Sequence, residues 1–93
     1  MSSVVIESEP DRLVGFRDGN RIGWMDYEVR DGVARLYHTE VPPALRGSGT
    51  GTLLVVACLE WFRDNTEFRI APLCPFIPAV MRRHPEFQSL TTR

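Results

Sequence analysis

The chain has 93 residues, of which 43% are hydrophobic and 25% charged, and its formal net charge is -1. A chain of this length has room for only one core, so residues 1–93 are expected to form a single domain. No apolar run approaches the ~20 residues of a membrane-spanning helix, and the N-terminus lacks the features of a secretory signal. Two cysteines make no disulfide framework, which favours a cytoplasmic protein.

All eleven basic residues are arginine, and twelve acidic residues balance them. Proteins that bind nucleic acid usually show a basic excess or a basic stripe, so no nucleic-acid partner is expected. Without a membrane-spanning run, no membrane partner is expected either. Two histidines and two separated cysteines also lack the spacing of metal ligands. We therefore expect no metal site.

The N-terminal half predicts β-strands separated by turns. Asp18-Gly19 and Asp31-Gly32 are typical of two-residue hairpins, and Glu9-Pro10-Asp11 marks an earlier turn. Successive strands joined by short turns indicate an antiparallel meander. The predicted strands are Val4–Ile6, Leu13–Phe16, Ile22–Arg30 and Val33–Val41.

The C-terminal half predicts two helices around one short strand. Apolar residues at 54, 55, 58, 59 and 62 form one core-facing stripe on a helix over Thr52–Arg63. Phe68–Ala71 is typical of a short strand, and the second helix ends near His84 because Pro85 follows. The predicted fold class is α+β, with a mixed, mainly antiparallel sheet and two main helices in the order β-β-β-α-β-α. A fourth strand before the first helix is left open.

Four apolar residues of the first helix lie outside its core stripe: Leu53, Val56, Ala57 and Trp61. Either a second layer of the same chain or a partner must cover them. This pattern predicts a weak homodimer.

Between the last N-terminal strand and the first helix lies the glycine-rich loop Arg46–Gly51. Glycines let backbone N–H groups approach a ligand closely, and a helix N-terminus carries a positive partial charge, so the arrangement suits phosphate. The loop does not match a dinucleotide-binding loop, because the G-x-G-x-x-G motif is absent. It does not match a nucleotide triphosphatase loop either, because that loop needs a lysine and this chain has none. The alternative is an ordinary glycine-rich connection.

The loop sequence Arg46-Gly47-Ser48-Gly49-Thr50-Gly51 fits the R-x-x-G-x-G signature of the GNAT superfamily of acyl-CoA N-acyltransferases. Further segments resemble its small single-domain members in the same order and at similar spacing, and together the resemblance covers about residues 12 to 90. It implies a GNAT-like fold, acetyl-CoA as cosubstrate, and an amine acceptor that is a small molecule or a protein. The further matching segments are His38–Pro43, Leu73–Phe76, His84–Phe87 and, in the third strand, Asp26-Tyr27.

The resemblance also implies where the coenzyme lies. Its pyrophosphate is expected on the glycine loop, in a cleft between the strands Val33–Val41 and Phe68–Ala71. The residues assigned to coenzyme binding are Val41, Arg46, Gly47, Ser48, Gly49, Thr50 and Gly51. The family usually has tyrosines where this chain has Val80 and Phe87, so a tyrosine from that region cannot protonate the departing thiolate.

This departure puts more weight on Cys74 as a catalytic residue. If Pro75 begins the second helix, Cys74 is its N-cap, where the helix dipole favours a thiolate. Pro78 leaves open a later start, with Ile77 as the cap. Cys74 is then an acyl carrier, a proton donor or simply a packed side chain. Cys58, on the core stripe, is expected to be packing.

His38 and Glu40 share one face of their strand, because side chains alternate with period two. Acyl transfer to an amine needs a base, and either residue could take the proton directly or through water. The alternative is a satisfied, half-buried histidine beside a solvated carboxylate. Arg82, Arg83 and His84 are read first as cations stabilised by a helix C-terminus, and second as phosphate contacts.

The sequence therefore predicts an acetyl-CoA-dependent N-acyltransferase that uses Cys74, His38 and Glu40, with an acceptor that the residues do not name. The first alternative is a non-catalytic acyl-CoA-binding module that acts through a protein partner. A purely structural interaction protein, which would bind no coenzyme, is the second.

Overall fold

The computed structural model describes residues 3–93 and contains one five-stranded sheet in the order β1-β2-β3-β4-β5. The first four strands are antiparallel neighbours, and β5 lies parallel to β4. This arrangement confirms the predicted α+β class and settles the strand number, since four strands precede the first helix. The elements are β1 (Val5–Glu9), β2 (Arg12–Arg17), β3 (Asn20–Arg30), β4 (Val33–Glu40), α1 (Thr50–Asn65), β5 (Arg69–Pro72) and α2 (Phe76–Arg83), with 3-10 segments at Pro43–Leu45 and Pro85–Thr91.

Both predicted hairpins are present. Asp18 and Gly19 have φ of 52° and 79°, and Asp31 and Gly32 have φ of 52° and 76°. Two consecutive residues with positive φ are the signature of a type I′ turn, whose twist matches that of antiparallel strands. Each Asp-Gly pair therefore sets the register of the strands that it joins.

Helix α1 packs across the sheet, and two glycines make room for it. Gly15 and Gly23 face each other across β2 and β3, and a Cβ at Gly15 would lie 2.6 Å from Leu54 Cδ1. A Cβ at Gly23 would lie 2.9 Å from Leu54 Cδ2. Because neither glycine has a side chain, the Leu54 side chain packs directly against the backbones of β2 and β3 at this point.

The predicted core stripe of α1 is confirmed, because residues 54, 55, 58, 59 and 62 are all buried. The helix itself is longer than Thr52–Arg63 by two residues at each end. Ala57, expected off the stripe, is also buried, and Leu53, Val56 and Trp61 are half-buried against the core. The rest of the chain thus covers most of the apolar surface of α1 that suggested a homodimer. The homodimer stays a prediction.

The sequence left two possible starts for the second helix: at Pro75 with Cys74 as the N-cap, or later with Ile77 as the N-cap. Helix α2 begins between them, at Phe76. Its N-cap is Pro75, so neither Cys74 nor Ile77 caps it. Pro78 is the third helical residue, a position whose N–H has no partner within the helix, so proline is tolerated there. Val80 and Phe87, which stand where tyrosines were expected, are 3% and 1% exposed and belong to the core.

The C-terminal residue ties the end of α1 to β5. Arg93 Nη2 donates to the Phe62 carbonyl at 2.8 Å and to Thr66 Oγ1 at 3.1 Å, and Arg93 Nε donates to the Phe68 carbonyl at 2.8 Å. Carbonyls at a helix C-terminus lack intrahelical donors, and a guanidinium supplies them. Within residues 3–93, no helix is long and apolar enough to cross a membrane.

Candidate functional site

The two parallel strands β4 and β5 separate after four residue pairs, of which the last is Leu36 with Pro72. Pro72 has no N–H to continue the ladder, and Leu73 N and Cys74 N both donate to the Leu36 carbonyl at 2.9 Å as the chain turns away. A bulge in β4 at this level leaves Tyr37 without a cross-strand partner, since Tyr27 pairs with Leu36 and Asp26 with His38. Within residues 3–93, the end of β4 therefore has strand β3 on one side only.

A cavity of about 450 Å³ lies at this end of β4, in front of the N-terminus of α1. Its walls come from three parts of the chain that are distant in sequence: the end of β4, the glycine loop with the first turn of α1, and the start of α2. The lining residues are Thr39, Glu40, Val41, Arg46, Gly47, Gly49, Gly51, Thr52 and Phe76.

The backbone of the glycine loop presents unpaired donors at this cavity. Gly47 and Gly49 have φ of 80° and 83°, in the left-handed region that glycine tolerates. The first helical bond runs from Leu53 N to the Gly49 carbonyl. The six residues that precede Leu53, from Gly47 to Thr52, have backbone N–H groups that make no well-aligned hydrogen bond to any acceptor in the part of the chain that the structure describes. Such a row of free donors at a helix N-terminus attracts an anion.

Two hydroxyls hold the loop in this conformation. Ser48 Oγ donates to the Leu45 carbonyl at 2.6 Å, which uses its only proton. In the 2.8 Å pair of Ser48 Oγ and Thr50 Oγ1, the donor must therefore be Thr50. Neither residue lines the cavity, and Thr50 is buried. These two residues, assigned from sequence to the coenzyme, thus shape the loop through their side chains.

Gly51 has a different role from the other loop glycines. A Cβ there would lie 3.2 Å from Phe76 Cζ and 3.7 Å from Val41 Cγ2. The missing side chain lets Phe76 lie against the first turn of α1 and close one wall of the cavity. Phe76 lies in one of the segments that resemble the family, but its sequence position predicts no role, because only the fold brings α2 to the start of α1.

One carboxylate joins the glycine loop to the end of β4. Glu40 Oε2 accepts from Arg46 Nη2 at 2.7 Å, and Glu40 Oε1 lies 3.2 Å from His38 Nε2. Arg46 Nε also donates to the Val41 carbonyl at 3.0 Å. The hydrogen bonds from Arg46 and His38 lower the pKa of Glu40. Arg46 is therefore engaged with the protein as well as lining the cavity.

Because an ionised carboxylate only accepts, the pairing fixes the proton on His38. Nε2 of His38 donates to Glu40, and Nδ1 has no partner among residues 3–93. A neutral His38 therefore has its free lone pair on Nδ1. The expected shared face of His38 and Glu40 is confirmed by their contact.

Cys74 is half-buried against the core and is not one of the cavity-lining residues. Its backbone contacts the point where β4 and β5 separate, so it lies near the cleft without facing this cavity. Tyr27 of the family segment is also in the core: its ring packs edge-on against Phe62, with centroids 5.1 Å apart. Burial raises the pKa of Tyr27, and Asp11 adds to this effect.

Thr39 lines the cavity, and its buried Oγ1 has no hydrogen-bond partner among the residues that the structure describes. Complete burial raises the pKa of Cys58, which makes it an inert core residue. No group of three or more His, Cys, Asp or Glu side chains within residues 3–93 comes together as a metal ion would require.

The fold and the loop define a small α+β domain in which a glycine loop at a helix N-terminus lies beside two separating parallel strands. A family model described as GCN5-related N-acetyl-transferase matches residues 13–90. The chain belongs to this family, whose members generally use acetyl-CoA. A search of curated proteins found no match.

Proposed function

We propose that the protein is an acetyl-CoA-dependent N-acyltransferase that transfers an acetyl group to an amine. The observation that carries the proposal is the run of N–H groups from Gly47 to Thr52 that lack a well-aligned hydrogen bond within residues 3–93. Gly47, Gly49, Gly51 and Thr52 of this run line a cavity of about 450 Å³. A diphosphate satisfies these donors and the positive end of the helix dipole together. The residues fit the coenzyme that the family uses.

In this arrangement, the loop from Gly47 to Gly51 binds the coenzyme pyrophosphate through its backbone. Val41 and Phe76 give apolar walls. Arg46 holds the loop to the end of β4 through Glu40, so its guanidinium positions the loop as well as attracting phosphate. When bound, acetyl-CoA supplies an acetyl group activated as a thioester.

His38 is the proposed base. An amine must lose a proton to attack the thioester carbonyl, and Nδ1 of a neutral His38 can accept that proton directly or through water. Glu40 holds the ring by accepting from Nε2, which makes Glu40 a positioning residue. A carboxylate that its neighbours keep strongly ionised is a weak base, so His38 is the better candidate of the two. The new C–N bond forms as the C–S bond breaks.

Calorimetry with acetyl-CoA, followed by release of free coenzyme thiol with a panel of primary amines, tests this function. We expect binding, and turnover with at least one amine. Binding without turnover over a broad panel would support the non-catalytic module that acts through a partner. No binding would overturn both functions and leave an interaction protein.

The role of His38 makes a separate prediction. His38→Gln should lower the rate at neutral pH by about 100-fold, within the range for a general base, without weakening coenzyme binding. Raising the pH should restore much of the rate, because the amine then loses its proton to solvent. His84→Gln is the matched control, since His84 lies at the end of α2 beside Glu86, 3.6 Å away. A pH profile that is unchanged in His38→Gln would contradict the assignment.

Cys74 has two proposed uses that differ in outcome. If it carries the acetyl group, acetyl-CoA without amine should add one acetyl group to Cys74, and Cys74→Ser should lose nearly all turnover. We expect instead no adduct, and retention of coenzyme binding and part of the rate, because Cys74 packs against the core outside the cavity lining. Mass spectrometry distinguishes these outcomes, and an acetylated Cys74 that passes its group to an amine would overturn our expectation.

A further inference from the structure

A second cavity, of about 280 Å³, continues the first one along α2. Thr52 and Phe76 line both cavities, so the two form one groove that passes the N-terminus of α1. Ala79 and Val80 form its apolar wall, and Arg82 and Arg83 line its far end. One end of the groove therefore has unpaired backbone donors, and the other has two cations.

Neither of these two arginines is engaged by the protein. Both side chains are exposed, and neither makes an ion pair or a side-chain hydrogen bond with any of residues 3–93. Glu86, the next acid along the chain, lies 3.6 Å from His84 Nδ1. The helix dipole favours cations in the last turn of α2, but it does not explain why both line a cavity that joins the anion-binding loop.

A ligand that satisfies both ends of this groove has two separate phosphate groups. Coenzyme A has this chemistry, because its ribose carries a 3′-phosphate apart from the pyrophosphate. Guanidinium groups bind a phosphate dianion through charge-assisted and often bidentate hydrogen bonds. We propose that Arg82 and Arg83 bind the 3′-phosphate, so that the protein selects coenzyme A over dephospho-coenzyme A. This inference rests on the proposed function, and it adds a specificity site that the loop alone does not provide.

Calorimetry with coenzyme A and with dephospho-coenzyme A tests the inference, and the ratio of the two dissociation constants is the readout. We expect the wild-type protein to bind coenzyme A at least about tenfold more tightly, the scale of a charge-assisted hydrogen bond. The double variant R82A/R83A should bind both ligands with equal affinity, close to that of the wild type for dephospho-coenzyme A. R82K/R83K should keep part of the preference, because charge remains while the planar fork is lost.

Arg35→Ala is the matched control, since Arg35 is an exposed arginine on β4 that does not line the groove. It should keep the wild-type ratio. The ratio is measured within each variant, so a loss of folded protein changes both affinities and leaves it intact.

Equal wild-type affinities for the two ligands, or an equal weakening of both in R82A/R83A, would overturn the inference while leaving the proposed function in place. A wild-type protein that binds neither ligand would overturn both.

Discussion

The two ends of helix α1 differ in how far the rest of the chain satisfies their backbone hydrogen-bonding groups. At the C-terminal end, Arg93 and Thr66 both donate to the Phe62 carbonyl, and Asn65 Nδ2 donates to the Trp61 carbonyl at 3.1 Å. At the N-terminal end, Gly49 is an N-cap without a side-chain acceptor, and no amide from Gly47 to Thr52 makes a well-aligned hydrogen bond within residues 3–93.

Every helix leaves about four N–H groups and four carbonyls unpaired at its ends, and capping side chains usually satisfy part of each set. Ser or Asp at position 49 could cap α1, but glycine stands there with a φ of 83°. The chain has thus stabilised the end of α1 that lies away from the cavity and left the other end free. The C-terminal end of α1 is therefore stabilised by the protein itself, whereas the N-terminal end keeps hydrogen-bond donors for a ligand.

Gly49→Val is the change with the largest expected effect on this comparison. A β-branched residue is strained at a φ of 83°, by about 1–3 kcal/mol, so the loop should leave the conformation that aligns its N–H groups. We expect coenzyme binding to be lost in calorimetry while circular dichroism still shows a folded domain.

Gly32→Val is the matched control for this change. Gly32 has a φ of 76°, and like Gly49 it has open space where a Cβ would be, but it lies in the β3–β4 hairpin turn. It should reduce thermal stability to a similar extent and leave coenzyme binding intact. Unchanged coenzyme affinity in Gly49→Val would remove the loop from the site.

Arg93→Ala tests the other end of the helix. Losing the hydrogen bonds to Phe62, Thr66 and Phe68 should lower the free energy of unfolding by about 1–2 kcal/mol, because a charged donor is removed from carbonyls at a helix end. Urea denaturation measures the loss. Arg93→Lys should recover only part of it, since one ammonium cannot reach all three acceptors.

The same variant separates stability from binding. Coenzyme affinity should not change in Arg93→Ala at temperatures where the protein is folded. A loss of affinity there, without a loss of stability, would mean that the two ends of α1 do not have separate roles.

The smallest expected effect concerns the pH dependence of the link between the loop and β4. Arg46 and His38 lower the pKa of Glu40 in the folded protein. A lowered pKa contributes stability above the pKa of the unfolded state, and this contribution is lost as the pH falls through the lowered value. Glu40→Gln should therefore be slightly less stable than the wild type at neutral pH.

Urea denaturation at neutral and strongly acidic pH should show this difference disappear in acid. High salt should also reduce it, because the Arg46–Glu40 pair is partly exposed to solvent. A difference that persists in strong acid would indicate a packing effect of the substitution instead.

Patterns among residues that are close in the sequence were sufficient to predict much of this fold. The two Asp-Gly pairs determine the hairpins because both residues must adopt positive φ. The helical spacing of residues 54 to 62 determines the face of α1 that meets the sheet. The glycine loop could be located for the same reason, since its conformation depends on residues that are consecutive in the chain.

The site beyond the loop depends on contacts between residues far apart in sequence. Phe76 enters the cavity because Gly51 leaves space for it, and Arg82 and Arg83 reach the same groove only because α2 packs beside α1. The bond from Arg46 to Glu40 likewise follows from where the loop meets β4. No single-sequence pattern encodes these distances.

The sequence alone determined most of the strands, the apolar face of α1 and the place of the glycine loop, because each depends on local backbone preferences and the periodicity of side chains. Tertiary structure decided that Pro75 caps α2, that Ala57 is buried, and that Cys74 lies outside the cavity lining. It also decided which hydrogen-bonding groups stay unpaired. The physical reason is that satisfaction of a donor depends on every acceptor that the folded chain brings within about 3 Å of it.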